Sequence, residues 1–383
     1  MSDVIVVGAG PVGMLLAGLL ERSGVEVLLL ERRDQPGGGT RAIGIHPPTL
    51  AALEPSGLTD ALLSHALRVP HGEARADGKR LGLVRFDRLS TRFPFVATLP
   101  QSATEAVLAE AAPPPRRGFT ATRIRSTPGG LVVHGADGRT ETARSVVVAG
   151  GGRARPLVFR DNRLKVTNYR DRYLMADVEV PHHPQPDTAI VNLAPGGVLE
   201  SFPMPGGVRR FVAWDGMRDA DDAQWGASDA QLAERLRAAM RSRGEAESAA
   251  AVSTATSFGV RRVVAPAFSR GGLFVIGDTA HEVSPIGGQG MNLGLLDAVT
   301  LAPVLASWVH TAEPPWALIA NWEQRRRRSA LTAARLAALN TVIGRPRGPV
   351  AHTMRSLVLR AMLGGPGGQL FAHAYAMGLD RDS

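Results

Sequence analysis

Cysteine is absent from all 383 residues. Disulfides, thiol nucleophiles, Cys-ligated zinc, iron–sulfur clusters and a flavin tethered through sulfur are thereby excluded. The compartment is not decided by that absence. Lysine occurs only at Lys79 and Lys165, so the net charge of +9 is carried almost wholly by arginine. Composition bias is the leading explanation of this balance. The run Arg325–Arg328 lacks an aromatic stacking platform or recognition motif, so it reads as a solvated helix face and no nucleic-acid partner is expected. Long apolar runs are missing as well. The longest, Val4 to Leu20, is broken by Gly8, Gly10, Pro11, Gly13 and Gly18. A membrane helix of about 20 apolar residues is not punctuated in this way. Met1-Ser2-Asp3 lacks the basic start of a secretory signal. The expected state is cytoplasmic, without stable membrane insertion. No Ser/His/Asp or metal-ligand cluster stands out.

Glycine and proline are abundant, at 43 and 27 residues, with no collagen period. They must serve turns and close backbone approaches. The clearest case begins at once. Asp3-Val-Ile-Val-Val7 has the β-branched pattern of a buried parallel strand. Gly8-Ala-Gly10-Pro11-Val12-Gly13 follows, then a helix over Met14 to Arg22 and a second strand over Val25 to Leu30 ending at Glu31. This is a dinucleotide fingerprint in its required context. Gly8 permits the turn, Gly10 lets a pyrophosphate approach the backbone, and Gly13 lets the helix pack closely. The helix N-terminus offers N–H groups and partial positive charge to phosphates. Glu31 can accept hydrogen bonds from ribose hydroxyls. These residues alone do not separate FAD from NAD.

A second motif lies far along the chain. Gly272 to Gly277 is a short apolar strand ending in Gly277-Asp278, where a carboxylate can bind hydroxyls of a long cofactor. The loop Pro285-Ile-Gly-Gly-Gln-Gly290 follows, and Met291-Asn292 begins a helix. That helix points its positive end where reduced flavin carries negative charge.

Together these motifs resemble the single-component FAD-dependent aromatic hydroxylases, the para-hydroxybenzoate hydroxylase class. Within that class the chain is nearest the bacterial polyketide hydroxylase, rifampicin monooxygenase and tetracycline monooxygenase branch. Arg41-Ala-Ile-Gly-Ile-His46-Pro matches the family's arginine segment. Leu99-Pro-Gln101-Ser-Ala-Thr-Glu105 matches its flavin-contacting glutamine helix, and Tyr173-Leu-Met-Ala-Asp177 the strand opening its substrate sheet. The likeness covers roughly residues 1–330, and the thioredoxin-like extra domain of larger polyketide hydroxylases is not expected here.

The resemblance implies an α/β fold: a Rossmann-type FAD-binding domain interleaved with a β-sheet substrate domain, plus C-terminal helices. The expected division gives 1–70, 98–165 and 255–300 to the FAD-binding domain, 71–97 and 166–254 to the substrate domain, and 301–383 to a helical region. The C-terminal part of that region could cap the pocket, form a dimer face or touch a membrane surface. The implied activity is an FAD-dependent monooxygenase using NAD(P)H and O2 to hydroxylate or epoxidise an aromatic or polyketide-like natural product through a flavin C4a-hydroperoxide. It would act as monomer or homodimer.

Cofactor contacts are expected from Gly8, Gly10, Pro11, Val12, Gly13, Glu31, Arg32, Arg41, Gln101, Asp278, Gly288, Gly290, Met291 and Asn292. Catalytic contacts are expected from Pro285, Gly287 and Gly288 in the loop and from Arg41. Phe202, Met204 and Trp214 line the substrate pocket if the sheet has that parity. His46 and His281 are expected to be structural. Phenol ionisation would speed oxygen transfer, yet no base stands out. No halogenase signature Trp-x-Trp-x-Ile-Pro is present. One departure is notable: Gly150 stands where the family carries an aspartate linked to flavin and nicotinamide steps. It admits a second reading, a flavoprotein that binds its ligand without turnover; an FAD-dependent reductase on the same scaffold is a further alternative.

Overall fold

The computed structural model describes residues 1–35, 37, 42–160, 164–217, 227–284, 288–364 and 366–380. Two large sheets organise the chain. The first is built on parallel strands in the order Leu273–Val275, Thr140–Val148, Ser2–Val7 and Val27–Leu30. Val4, Ile5 and Val6 are fully buried, as β-branched residues covered on both faces should be. A short edge strand, Ser269–Arg270, and an antiparallel arm, Ala121–Thr127 with Gly130–Gly135, complete this sheet. Helices Pro11–Arg22 and Gly290–Thr311 pack against each other over it. The second helix is long and apolar enough to cross a membrane, but most of its apolar window is buried inside the protein.

The second sheet has eight strands. Their order is His281–Glu282, Thr256–Val264, Val166–Glu179, Val208–Met217, Gly197–Pro203, Thr188–Ala194, His71–Ala76 and Lys79–Arg85. The Thr256–Val264 strand was expected in the nucleotide unit. It pairs antiparallel with Val166–Glu179 instead. Its mostly half-exposed residues suit an antiparallel strand and not a buried parallel one. A third, three-stranded sheet joins Gly44–Ile45, Val96–Thr98 and Leu67–Val69, with no local pattern in the sequence to announce it.

Alternation sorts the faces of the eight-stranded sheet. Leu174, Ala176, Leu199, Phe211 and Ala213 pack under the helix Asp229–Ser242, against Ala233, Leu236 and Met240. Ser228 and Gln231 close that helix with a capping box. Tyr173, Met175, Val198 and Val212 face the opposite way. Strands Gly197–Pro203 and Val208–Met217 form a hairpin around Gly206-Gly207. Helices Pro349–Leu363 and Pro366–Tyr375 then cover the Lys79–Arg85 edge. Gly82 makes that approach possible, because a Cβ there would stand 2.4 Å from Leu363 Cβ.

Candidate active site

A single cavity of about 1160 Å³ runs between the two sheets. Pockets for one small ligand span roughly 300–1,000 Å³, so this one has room for two molecules end to end. One end is the turn after the first strand. Gly8, with φ +111°, brings that turn against Ala149 and Gly150, where a Cβ would meet backbone at 2.6–2.8 Å. Gly13 does not line the cavity. A Cβ on it would lie 1.9 Å from the Gly8 carbonyl oxygen, so its role is helix packing. At Gly10 a Cβ would meet nothing within 4 Å. The turn thus leaves empty space beside the helix N-terminus, in the place a pyrophosphate would take.

Glu31 and Arg32 line the same end. The Glu31 carboxylate accepts hydrogen bonds from Ala9 N at 2.9 Å and from Arg33 N and Nε at 2.9 and 3.0 Å. Burial alone would raise its pKa, but these donors hold it below the usual carboxylate range. Gln101 lines the middle, its amide oxygen accepting from Ala42 N and its amide nitrogen donating to Glu105. Pro11, Val12, Asp278, Gly288, Gly290 and Met291 line the wall as well. Arg41, Pro285 and Gly287 lie outside the described residues.

Asn292 is corrected from contact to support. It is fully buried and off the cavity wall. Its side chain accepts from His46 N and donates to the Gly44 and Gly288 carbonyls, fixing the loop end to the Gly44–Ile45 strand. His46 beside it is neutral: burial pushes its imidazole down to about 4, opposed by a hydrogen bond to the Gly288 backbone. As pH falls below about 6.5 the unfolded chain takes up this proton first, so the native state loses stability. That loss continues to the folded value of about 4. Compared with H46Q, the wild type is expected to lose about 3 kcal/mol across this window in urea denaturation at stepped pH.

Gly150 also lines the cavity. A Cβ on it would stand 2.6 Å from Ala154 Cβ, so the turn is packed for glycine and an aspartate would have to displace Ala154. Arg155, close by, is not available to a phosphate. It donates to the Asp278 carbonyl and pairs with Glu282 at 2.9 Å.

The far end of the cavity is an apolar chamber. Val198, Phe202, Val212, Met175 and Phe258 line it from the sheet, and Leu359, Leu363, Phe371 and Tyr375 from the last two helices. The C-terminal segment therefore closes the chamber. Phe202 faces it, whereas Met204 and Trp214 do not line it, which corrects that expectation. Trp214 has the right parity but sits farther along the strand, its indole N–H donating to Asp171 at 3.0 Å. Met204 follows the last residue of its strand and is buried elsewhere.

Two features were missed in the sequence. Glu200 lies between Val198 and Phe202 on the chamber face, only 3% exposed. An acidic residue at alternate spacing between two apolar ones was its only signal. The second is a buried ion network behind the cofactor end. Arg326, from the run expected to be solvated, is fully buried. It donates to Asp297 at 2.8 Å, to Asp380 at 2.8 Å and to the Leu293 carbonyl at 3.0 Å. Asp297 also accepts from Gly277 N at 3.0 Å and lies 2.6 Å from His281 Nε2. Burial would raise the Asp297 carboxyl, but the His281 and Arg326 charges hold it low. His281 is structural, as expected.

A family model described as "FAD binding domain" matches residues 1–337. A 6-methylpretetramide 4-monooxygenase from Streptomyces rimosus is 33% identical over 80% of this chain, which spans 56% of that protein's length. A rifampicin monooxygenase from Rhodococcus hoagii is 29% identical over 85% of this chain and 68% of its own. Among solved structures, an anhydrotetracycline hydroxylase from Streptomyces rimosus superposes with TM-score 0.77 at 26% identity, covering 99% of this chain and 76% of that one. A p-nitrophenol 4-monooxygenase from Pseudomonas putida shares the fold, with TM-score 0.87 at 22% identity over 100% and 99% of the two chains.

Proposed function

The chain belongs to the FAD-binding domain family, and on that premise we propose that it is an FAD-dependent monooxygenase. It would use NAD(P)H and O2 to hydroxylate or epoxidise an aromatic or polyketide-like natural product. The observation that carries this reading is the continuity of the cavity. One end is built for a dinucleotide and the other is an apolar chamber lined by the sheet and the last two helices. The names of the relatives, for pretetramide, rifampicin and tetracycline compounds, support such a ligand.

FAD fits the residues present. Gly10 leaves the space and the helix N-terminus supplies the positive end for its pyrophosphate. Glu31 and Asp278 offer acceptors for its hydroxyls. The N-terminal end of Gly290–Thr311 opens on the cavity through Gly288, Gly290 and Met291 and would favour negative charge on an adjoining ring. When bound, FAD supplies reduction by NAD(P)H and activation of O2, with one oxygen atom going to the product and the other to water. The protein's part is to orient the ring and exclude water. Phe202, Val212 and Leu359 do this in the chamber.

The test is a panel of aromatic polyketides added in air to the FAD-loaded protein with NADH or NADPH. The expected result is ligand-stimulated nicotinamide oxidation and a product heavier by one oxygen. A yellow protein that neither nicotinamide reduces, with any ligand present, would overturn the reading.

A further inference from the structure

Glu200 is a buried acid on the wall of the chamber. Three other charged groups on the cavity wall are engaged: Arg210 grips Asp177 at 2.6 and 2.7 Å, Glu73 pairs with Arg75, and Arg261 pairs with Glu282. Among the described residues, none hydrogen-bonds to the Glu200 carboxyl, which lines the chamber beside Val198 and Phe202. A carboxyl taken from water without a hydrogen bond costs several kcal/mol, so such groups are rare outside binding sites. The missing partner is therefore sought in the ligand, and an aromatic ring in this chamber brings one polar group suited to it, a ring hydroxyl.

We infer that Glu200 holds the ring hydroxyl of the substrate and shares its proton, so that the ring is phenolate-like when oxygen is delivered. This rests on the monooxygenase reading above. The O–H bond gives its proton to the carboxylate, and the electron pair stays on the ring oxygen. Density rises at the ortho and para carbons, where an electrophilic oxygen attacks. When the oxygenated carbon later loses its hydrogen as a proton, the ring oxygen takes a proton back.

The surroundings suit this task. Burial raises the Glu200 carboxyl to about 8. An acid near the phenol range is better matched for sharing such a proton than an ordinary carboxylate. Glu200 stands between Val191 and Val212 on the neighbouring strands, neither of which titrates. Of the ionisable groups nearby, Tyr375 from the last helix and Tyr173 from strand Val166–Glu179 are both pushed upward, first by burial and then in part by the Glu200 charge. Arg210 and Glu73, on flanking strands, are occupied by Asp177 and Arg75.

The experiment uses the oxidised, FAD-loaded protein and 7-hydroxycoumarin, a fused-ring phenol whose neutral and ionised forms differ in absorbance. In the wild type the bound probe is expected to ionise at least one pH unit lower than in E200L, which offers the phenolate no hydrogen bond. In turnover, E200Q is expected to lose hydroxylation about 100-fold. The wild-type rise of kcat/KM with pH, through an inflection near 8, should be flat in E200Q. A probe that ionises at the same pH in wild type and E200L, or an E200Q with wild-type rate and pH profile, overturns the inference. The probe titration needs no turnover. A flavin that no nicotinamide reduces would count against the monooxygenase reading, while the titration would still judge Glu200.

Discussion

Replacing Arg326 by methionine is expected to destabilise the protein by about 3–5 kcal/mol, measured as a lowered urea midpoint. The guanidinium is fully buried and is the hub between two carboxylates, Asp297 and Asp380. Methionine fills similar volume, so the loss reports charge rather than a cavity. It removes the cation that Asp297 and Asp380 share, leaving Ser329 donating to Asp380 and His281 beside Asp297. The damage should reach the site. Asp297 accepts from Gly277 N, which positions the turn bearing Asp278. R326M is therefore expected to weaken FAD binding as well as folding. Replacing Arg326, Asp297 and Asp380 together by apolar residues should cost less than R326M alone, because no unpaired buried charge remains. A triple variant as unstable as the sum of its parts would argue that packing, not charge, carries the effect.

The second large effect separates fold from ligand. Gly10 has φ −86°, which any residue can adopt, and its Cβ direction is open. G10A is expected to fold with an unchanged melting temperature and to bind FAD at least 100-fold more weakly, a loss of about 2.7 kcal/mol. The cause is a methyl group where the pyrophosphate must approach the backbone. G13A should behave differently, because its Cβ would strike the Gly8 carbonyl at 1.9 Å. That variant is expected to lose stability and FAD together. Flavin fluorescence titration and thermal melts of both variants distinguish the two glycines. If G10A binds FAD like the wild type, the empty space beside Gly10 is not the cofactor's place.

The contrast between these sites shows what the sequence made legible. The first strand, turn and helix were readable because each glycine, the β-branched run and Glu31 lie within one short stretch with local rules. The hairpin at Gly206-Gly207 and the cap at Ser228 follow equally local rules. Arg326 was not, because a run of arginines looks solvated until a helix partner 29 residues away in sequence supplies Asp297. Glu200 was hidden because strand parity decides whether an acid faces water or a chamber, and parity follows from register with strands far along the chain. Phe202 stays on the wall, whereas Trp214, with the right parity, lies too far along its strand and Met204 lies beyond the end of its own. The role of the last two helices was equally non-local: they close the chamber by packing on Lys79–Arg85, hundreds of residues upstream.

That the cofactor end and the apolar chamber are two parts of one cavity is tested most directly by titrating the FAD-loaded protein with a hydroxyanthraquinone in the absence of NAD(P)H, following the flavin absorption bands. The bands should shift saturably, and V198W, which fills the chamber from strand Gly197–Pro203, should abolish the shift while keeping the yellow colour. Saturable ligand binding that leaves the flavin bands unmoved, or a protein that stays colourless in excess FAD, would contradict it.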